Sequence, residues 1–192
     1  MHSDVWLDVI GLAEHLKSVS GKYDILGLCG TQMMNISQTP LNWFTSSRPC
    51  PDKRWGCVTH GELGGMTSFF SEDRPETDHE VACIDGLCII FGKNALMSDI
   101  RFDENLGAFD MYDTDISTQA MIKYKLKLGV IVRKDLRHFS VGKSILEEKF
   151  LENELKFRQK WKFPLTPPLV RVLEKLRAVN QQPARNQTED GV

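Results

Sequence analysis

The stretch "HEVACIDGLCIIFG", residues 79–92, is the strongest strand signal in the chain. Apolar residues run almost without a break from Val81 to Phe91, and Asp85 and Gly86 form the main interruption. A run of this kind, without the polar alternation of a half-exposed strand, is typical of a central strand buried on both faces. The sequence therefore predicts that this segment lies in the middle of a sheet.

Segments with the periodicity of helices and strands alternate on both sides of this stretch. Before it, the pattern predicts a helix at 6–19, a strand at 23–30, a long loop at 31–54 and a hairpin turning near 61–65. After it, the pattern predicts a helix at 116–126, a strand at 128–134, a charged amphipathic helix at 144–161 and a short helix at 168–179.

This alternation predicts an α/β fold, with a mixed sheet flanked by helices. We assign residues 1–163 to one domain and residues 164–179 to a short C-terminal helix. Residues 180–192 are polar and lack periodicity, so we expect a disordered tail.

Composition narrows the classes of function. A net charge of −2 gives no basic surface of the kind that nucleic-acid-binding domains carry. No apolar run is long enough to cross a bilayer, and no signal peptide is visible. The five cysteines include no Cys-x-x-Cys pair, which favours reduced thiols. We therefore expect a cytoplasmic protein with no membrane span and no nucleic-acid partner.

The densest acidic cluster is "FDMYDTDIS", residues 109–117, in which Asp110, Asp113 and Asp115 enter a predicted helix. Aspartate is favoured at N-caps and in first turns, where it meets free amides and the positive helix end. Three carboxylates within six residues exceed that need, and a carboxylate beside a substrate can accept a proton from a hydroxyl nucleophile. Capping and catalysis both remain open for this cluster.

Asp4 and His138 are candidates for a metal site with mixed oxygen and nitrogen ligands, suited to manganese or magnesium bridging a phosphate. Asp4 could instead cap the helix that begins near Leu7, and a lone histidine is more often structural. Trp43, Phe44 and Trp55 could line a groove for a sugar ring, or pack against the domain that they cover.

Three motifs follow one another in a recognisable order: "HSDV" at 2–5, "RFDENLGAFDMYDTDISTQA" at 101–120 and "HFS" at 138–140. Helices and strands separate them, and a helix ending in Lys160-Trp161 follows. In this order the chain resembles, from residue 1 to about 162, a glycosyltransferase-like family related to glycosyltransferase family 2. The segment at 101–120 is the most specific part of the resemblance, which implies a GT-A fold.

The resemblance also implies roles for individual residues. Asp4 would match the aspartate of the family's DxD-like motif, which contacts the metal and the donor diphosphate, and His138 would complete the metal site. Asp113 would be the catalytic base of a glycosyltransferase that moves a sugar from a nucleotide-sugar donor to a glycan or other hydroxyl acceptor, with inversion. Asp115 would also cap and orient its helix. The residues assigned to donor and acceptor binding are His2, Trp55, Asp85, Gly86, Tyr112 and Asp115.

In the family, nucleotide-binding strands precede the DxD-like motif, whereas here the sequence starts at the motif. We therefore expect an N-terminally truncated GT-A-like sheet with an unpaired edge, which favours a homo-oligomer. The alternative is a non-catalytic relative that binds a glycan or a protein, or an inactive fragment of a glycosyltransferase.

Overall fold

A computed structural model describes residues 1–44, 50–61, 67–69, 77–106, 110–139 and 148–180. The described residues form a mixed α/β structure with two small mixed sheets and flanking helices. The α/β class predicted from the sequence is therefore confirmed. The predicted disordered tail falls almost wholly on residues 181–192, which lie outside the described residues.

The first sheet collects strands from the whole length of the described chain. Neighbouring strands pair antiparallel, except for the parallel pair that joins residues 137–138 to residues 59–60. In spatial order its strands are β1 (Val5–Trp6), β10 (Arg137–His138), β4 (Arg54–His60), β3 (Cys29–Thr31) and β7 (Cys83–Ile84), with β5 (Thr67–Phe69) also paired to β4. The antiparallel pairing of β4 with β5 confirms the predicted hairpin, whose turn at 62–66 lies outside the described residues.

The second sheet has four strands around a parallel central pair. Its strands, in spatial order, are β6 (Asp78–Glu80), β9 (Leu128–Ile131), β2 (Ile25–Gly27) and β8 (Ile89–Phe91). The predicted strand at 23–30 is divided between the sheets, because the chain passes from β2 into β3 at the fully buried Leu28. Both halves are apolar and buried, so periodicity alone could not show the change of sheet.

The prediction of one central strand from Val81 to Phe91 is wrong. The stretch contains β7 of the first sheet and β8 of the second, with a turn between them. The Asp85 side chain accepts a hydrogen bond from the Leu87 backbone amide at 2.7 Å, and a local bond of this kind stabilises a turn in place of an extended ladder. The apolar run therefore links two sheets through a turn at Asp85 and Gly86.

In the described part of the chain, five α-helices flank the sheets. They are α1 (Val9–Ser18), α2 (Lys93–Met97), α3 (Tyr112–Thr118), α4 (Glu148–Trp161) and α5 (Pro167–Asn180), and a π-helical turn at Gln119–Lys123 continues α3. Asp8 caps α1, accepting bonds from the amides of Ile10 and Gly11 at 3.0 and 3.1 Å. Asp4 therefore does not serve as the cap of this helix.

The helix predicted at 144–161 is α4, which packs on the domain, and residues 144–147 lie outside the described residues. Phe157 and Arg158 are fully buried, and Phe157 packs with Leu41, Leu106 and Met111. On the outer side, α5 packs its Leu169 and Val172 against Leu155 of α4. Within the described part of the chain, none of the helices combines the length and the apolar character that crossing a membrane requires.

Candidate functional site

The end of the first sheet brings together a group of three metal-ligating side chains, His2, Asp4 and His138. The pairing of β1 with β10 sets Val5 opposite His138, and the Phe139 amide donates to the Asp4 carbonyl at 3.0 Å. Asp4 Oδ2 lies 3.3 Å from His138 Nε2. One ligand atom from each of the three side chains lies within 4.8 Å of the other two.

This geometry fits a single cation. Metal–ligand bonds of about 2.0–2.2 Å place opposite ligands on one ion roughly 4.4 Å apart, and the three ligand atoms here all lie within 4.8 Å of one another. Two imidazoles and one carboxylate are ligands that suit manganese and other first-row divalent ions. Burial is the main factor that lowers the pKa of His138, with the nearby rings of His60 and His2 acting in the same direction and Asp4 opposing them. The lowered pKa favours the neutral imidazole that a metal ligand must be.

A second group, Asp85 and Asp113, places two half-buried carboxylates close to each other. Burial is the main cause that raises the pKa of Asp113, to about 7, and the Asp85 carboxylate raises it further. Burial likewise raises the pKa of Asp85, against the hydrogen bonds from the Leu87 amide and the Trp43 indole. A carboxylate with a pKa near neutrality is suited to proton transfer at physiological pH.

Hydrogen bonds fix the Asp113 carboxylate at the start of α3. Its Oδ2 accepts from the Gly86 amide at 3.2 Å, and its Oδ1 accepts from the Thr114 amide at 2.6 Å. The helix begins after Met111, which has a left-handed φ of 67° and makes no side-chain cap. Asp113 is therefore not the N-cap residue of α3. Its carboxylate bonds both the first-turn amide of Thr114 and the turn at Gly86.

Tyr112 lies between the two groups. Its hydroxyl is hydrogen-bonded to His2 Nε2 at 2.8 Å, and a β-carbon added at Gly86 would overlap that hydroxyl. The His2 backbone amide also donates to the Leu87 carbonyl at 2.9 Å. Seven of the residues predicted from the sequence thus form one connected set: His2, Asp4, Asp85, Gly86, Tyr112, Asp113 and His138.

The contacts of Asp115 and Trp55 point to other parts of the structure. The buried Asp115 carboxylate accepts from Trp161 Nε1 at 2.7 Å and from Lys160 Nζ at 2.9 Å, so it holds the end of α4. The buried Trp55 ring stacks on His79 with 3.4 Å between ring centroids, which joins β4 to β6 across the two sheets.

Two neighbours of the site are His60, which the sequence analysis did not assign, and Trp43, which it gave only as a residue that could line a groove for a sugar ring. The Trp43 indole donates to the Asp85 carboxylate, and the His60 ring lies 5.4 Å from the His138 ring. His60 reaches this position because it pairs in register with His138 across β4 and β10. A parallel register between segments almost eighty residues apart leaves no local signal in the sequence, so His60 could not be found from it. An aromatic residue in a long loop, such as Trp43, is only a weak sign of a functional site.

Comparisons of the chain with models of protein families, with curated proteins and with solved structures found no match.

Proposed function

We propose that this protein is a metal-dependent glycosyltransferase with a GT-A-like fold, which moves a sugar from a nucleotide-sugar donor to an acceptor hydroxyl. The observation that carries the proposal is the link, through Tyr112 and Gly86, between the half-buried Asp113 carboxylate with a pKa of about 7 and a group of three side chains that could hold a metal ion. A base and a cation site side by side suit the transfer of a group from a diphosphate to a hydroxyl.

Asp113 is the proposed base. Its carboxylate takes the proton of the acceptor hydroxyl while the hydroxyl oxygen forms a bond to the anomeric carbon of the donor. The bond between that carbon and the diphosphate oxygen breaks, and the nucleoside diphosphate leaves with the bonding electron pair. Attack from the face opposite the leaving group inverts the anomeric centre.

His2, Asp4 and His138 would hold a divalent cation, manganese or magnesium, which when bound offsets the negative charge of the diphosphate. We assign Asp85 and Gly86 to the surroundings of the donor sugar and the acceptor, because Gly86 donates to the base and Asp85 adjoins it. The acceptor is a glycan or another hydroxyl compound. All five cysteines are free, which fits a reducing compartment such as the cytoplasm.

The test is a transfer assay with manganese, a panel of nucleotide-sugars and a panel of glycan acceptors, in which release of nucleoside diphosphate and labelling of the acceptor are both measured. Asp113→Asn keeps the size of the side chain and removes the base. We expect it to lower the rate constant at least about 100-fold, within the range that general bases contribute.

The matched control is Asp110→Asn, in the same acidic cluster, where the carboxylate lies 3.5 Å from the Asn153 amide of α4. We expect this variant to transfer sugar at a rate close to that of the wild type. Full turnover by Asp113→Asn would show that another group is the base, and an inactive wild type across all donors would contradict the proposed function.

A further inference from the structure

Tyr112 contacts both parts of the candidate site with the hydroxyl end of its side chain. Its hydroxyl is hydrogen-bonded to His2 Nε2 at 2.8 Å, and the same end of the side chain lies against Gly86. The Gly86 amide in turn donates to Asp113. The ring is held on another side by Phe102, in an edge-to-face contact with 6.0 Å between centroids. Tyr112 therefore has little freedom to turn towards a substrate.

We infer that Tyr112 is a positioning residue that orients His2 as a metal ligand, and that the absence of a side chain at Gly86 makes this contact possible. The inference rests on the proposed function, because it assumes that His2, Asp4 and His138 hold a cation. It replaces the role in donor or acceptor binding that the resemblance implies for Tyr112 and His2.

The hydrogen bond engages Nε2 of His2, which leaves Nδ1 as the nitrogen for a cation. When Nε2 carries the proton and donates it to the tyrosine hydroxyl, Nδ1 keeps its lone pair for the cation. Histidine ligands commonly make such a bond through their second nitrogen, which fixes the tautomer and the orientation of the ring. Loss of the partner typically weakens metal binding about 10- to 100-fold.

Gly86 lets the Tyr112 side chain come close to the backbone of the turn. A β-carbon at this position would overlap the hydroxyl and the ring of Tyr112, so a larger residue would displace the tyrosine from His2. The turn at Asp85 and Gly86 thus contacts both groups. The Gly86 amide donates to Asp113, and the space left by the missing side chain of Gly86 is filled by Tyr112. Gly86→Ala should reproduce the effect of losing the hydroxyl, even though the tyrosine is retained.

The experiment measures the Mn²⁺ affinity of the purified chain by electron paramagnetic resonance of the free ion, without nucleotide or acceptor. The variants are Tyr112→Phe and Gly86→Ala. The matched control is Tyr124→Phe, because the buried Tyr124 hydroxyl has no hydrogen-bond partner among the described residues. Circular dichroism records the fold of each variant.

We expect the dissociation constant for Mn²⁺ to rise about 10-fold or more in Tyr112→Phe and in Gly86→Ala, and to stay unchanged in Tyr124→Phe. Equal or tighter binding by Tyr112→Phe would overturn the inference and leave the proposed function standing; tighter binding would mean that the hydroxyl competes with the ion for Nε2. If Tyr112→Phe does not fold, Gly86→Ala provides the test: a raised dissociation constant supports the inference, and an unchanged or lower one overturns it. A folded wild type that binds no Mn²⁺ would overturn both the inference and the proposed metal dependence.

Discussion

Asp113 owes its raised pKa to its position at the start of α3, where the carboxylate is half-buried beside Asp85. Burial penalises the charged form, and the negative charge of Asp85 penalises it again. Bonds from the amides of Gly86 and Thr114 and from the Thr114 hydroxyl oppose both effects but do not cancel them. The result is a carboxyl group that can change its protonation state near neutral pH.

This pKa predicts the pH dependence of transfer. A base must be deprotonated to act, and a group with a pKa of about 7 is roughly one-tenth deprotonated at pH 6 and nine-tenths at pH 8. We therefore expect kcat/KM to rise with pH through about 7 and then to level off. The measurement is the pH profile of kcat/KM in the transfer assay.

Asp85→Asn separates the two causes of the raised pKa. The substitution removes the neighbouring charge while Asp113 stays buried, so the rising limb should move to lower pH without disappearing. Ser98→Ala, a substitution in the turn after α2, is the control and should leave the limb in place. A limb that stays in place in Asp85→Asn would mean that burial alone sets the pKa of Asp113.

At the scale of single residues, the sequence predicts which residues belong to the candidate site better than it predicts the contacts between them. Asp4, Asp113 and His138 can be selected from their chemistry, from their order along the chain and from the family resemblance. The contact of Tyr112 with Gly86 depends on the turn that breaks the run at 81–91, and that turn was predicted as a strand. The bond from Trp43 to Asp85 depends on how a long loop folds back over the site.

At the scale of the elements, α4 is fastened to the domain by the Arg158 guanidinium. Arg158 pairs with Glu154 one turn earlier, and both side chains are fully buried. It also donates to the backbone carbonyls of Ile36 and Pro164 at 2.6 and 2.7 Å, and to that of Gln38. The guanidinium thus donates hydrogen bonds to a loop, to α4 itself and to the segment that follows α4. The planar, five-donor group of arginine can make all these bonds at once, whereas a lysine ammonium cannot.

Arg158→Lys should therefore be strongly destabilising although it conserves the charge. It leaves three backbone carbonyls and the buried Glu154 carboxylate with fewer donors, at a cost of about 3 kcal/mol in the free energy of unfolding. Urea unfolding followed by circular dichroism measures this change. Arg171→Lys, at an exposed position of α5, is the control and should change the free energy by less than about 0.5 kcal/mol. Equal stability of the two variants would show that the buried network does not hold α4 in place.

The elements that the sequence predicts well are those with a complete local signal. The amphipathic pattern marks α1, α4 and α5, and the glycines near residue 61 mark the hairpin of β4 and β5. The two apolar runs at 23–30 and 81–91 were predicted as single strands because a buried strand and a buried change of sheet have the same composition. Leu28 in one run and the turn at Asp85 and Gly86 in the other are where the chain changes sheet.

At the scale of the whole molecule, the site exists because the sheets bring distant segments together. Residues 2–4 meet residue 138 through β1 and β10, and residues 85–86 meet residues 112–113 where α3 packs against β7. These contacts join the beginning, the middle and the later part of the chain. An α/β fold can be predicted from alternating patterns, but the register that creates the site is a property of the assembled sheets.

The central claim is that this assembled site binds a divalent cation together with a nucleoside diphosphate. The most direct test is a thermal-shift titration of the wild type and Asp4→Ala with Mn²⁺ and a panel of nucleoside diphosphates, since a ligand that binds the folded state raises its apparent stability. We predict that at least one nucleoside diphosphate raises the melting temperature of the wild type only when Mn²⁺ is present, and that Asp4→Ala loses this shift. A folded wild type whose melting temperature is unchanged by every combination would contradict the claim.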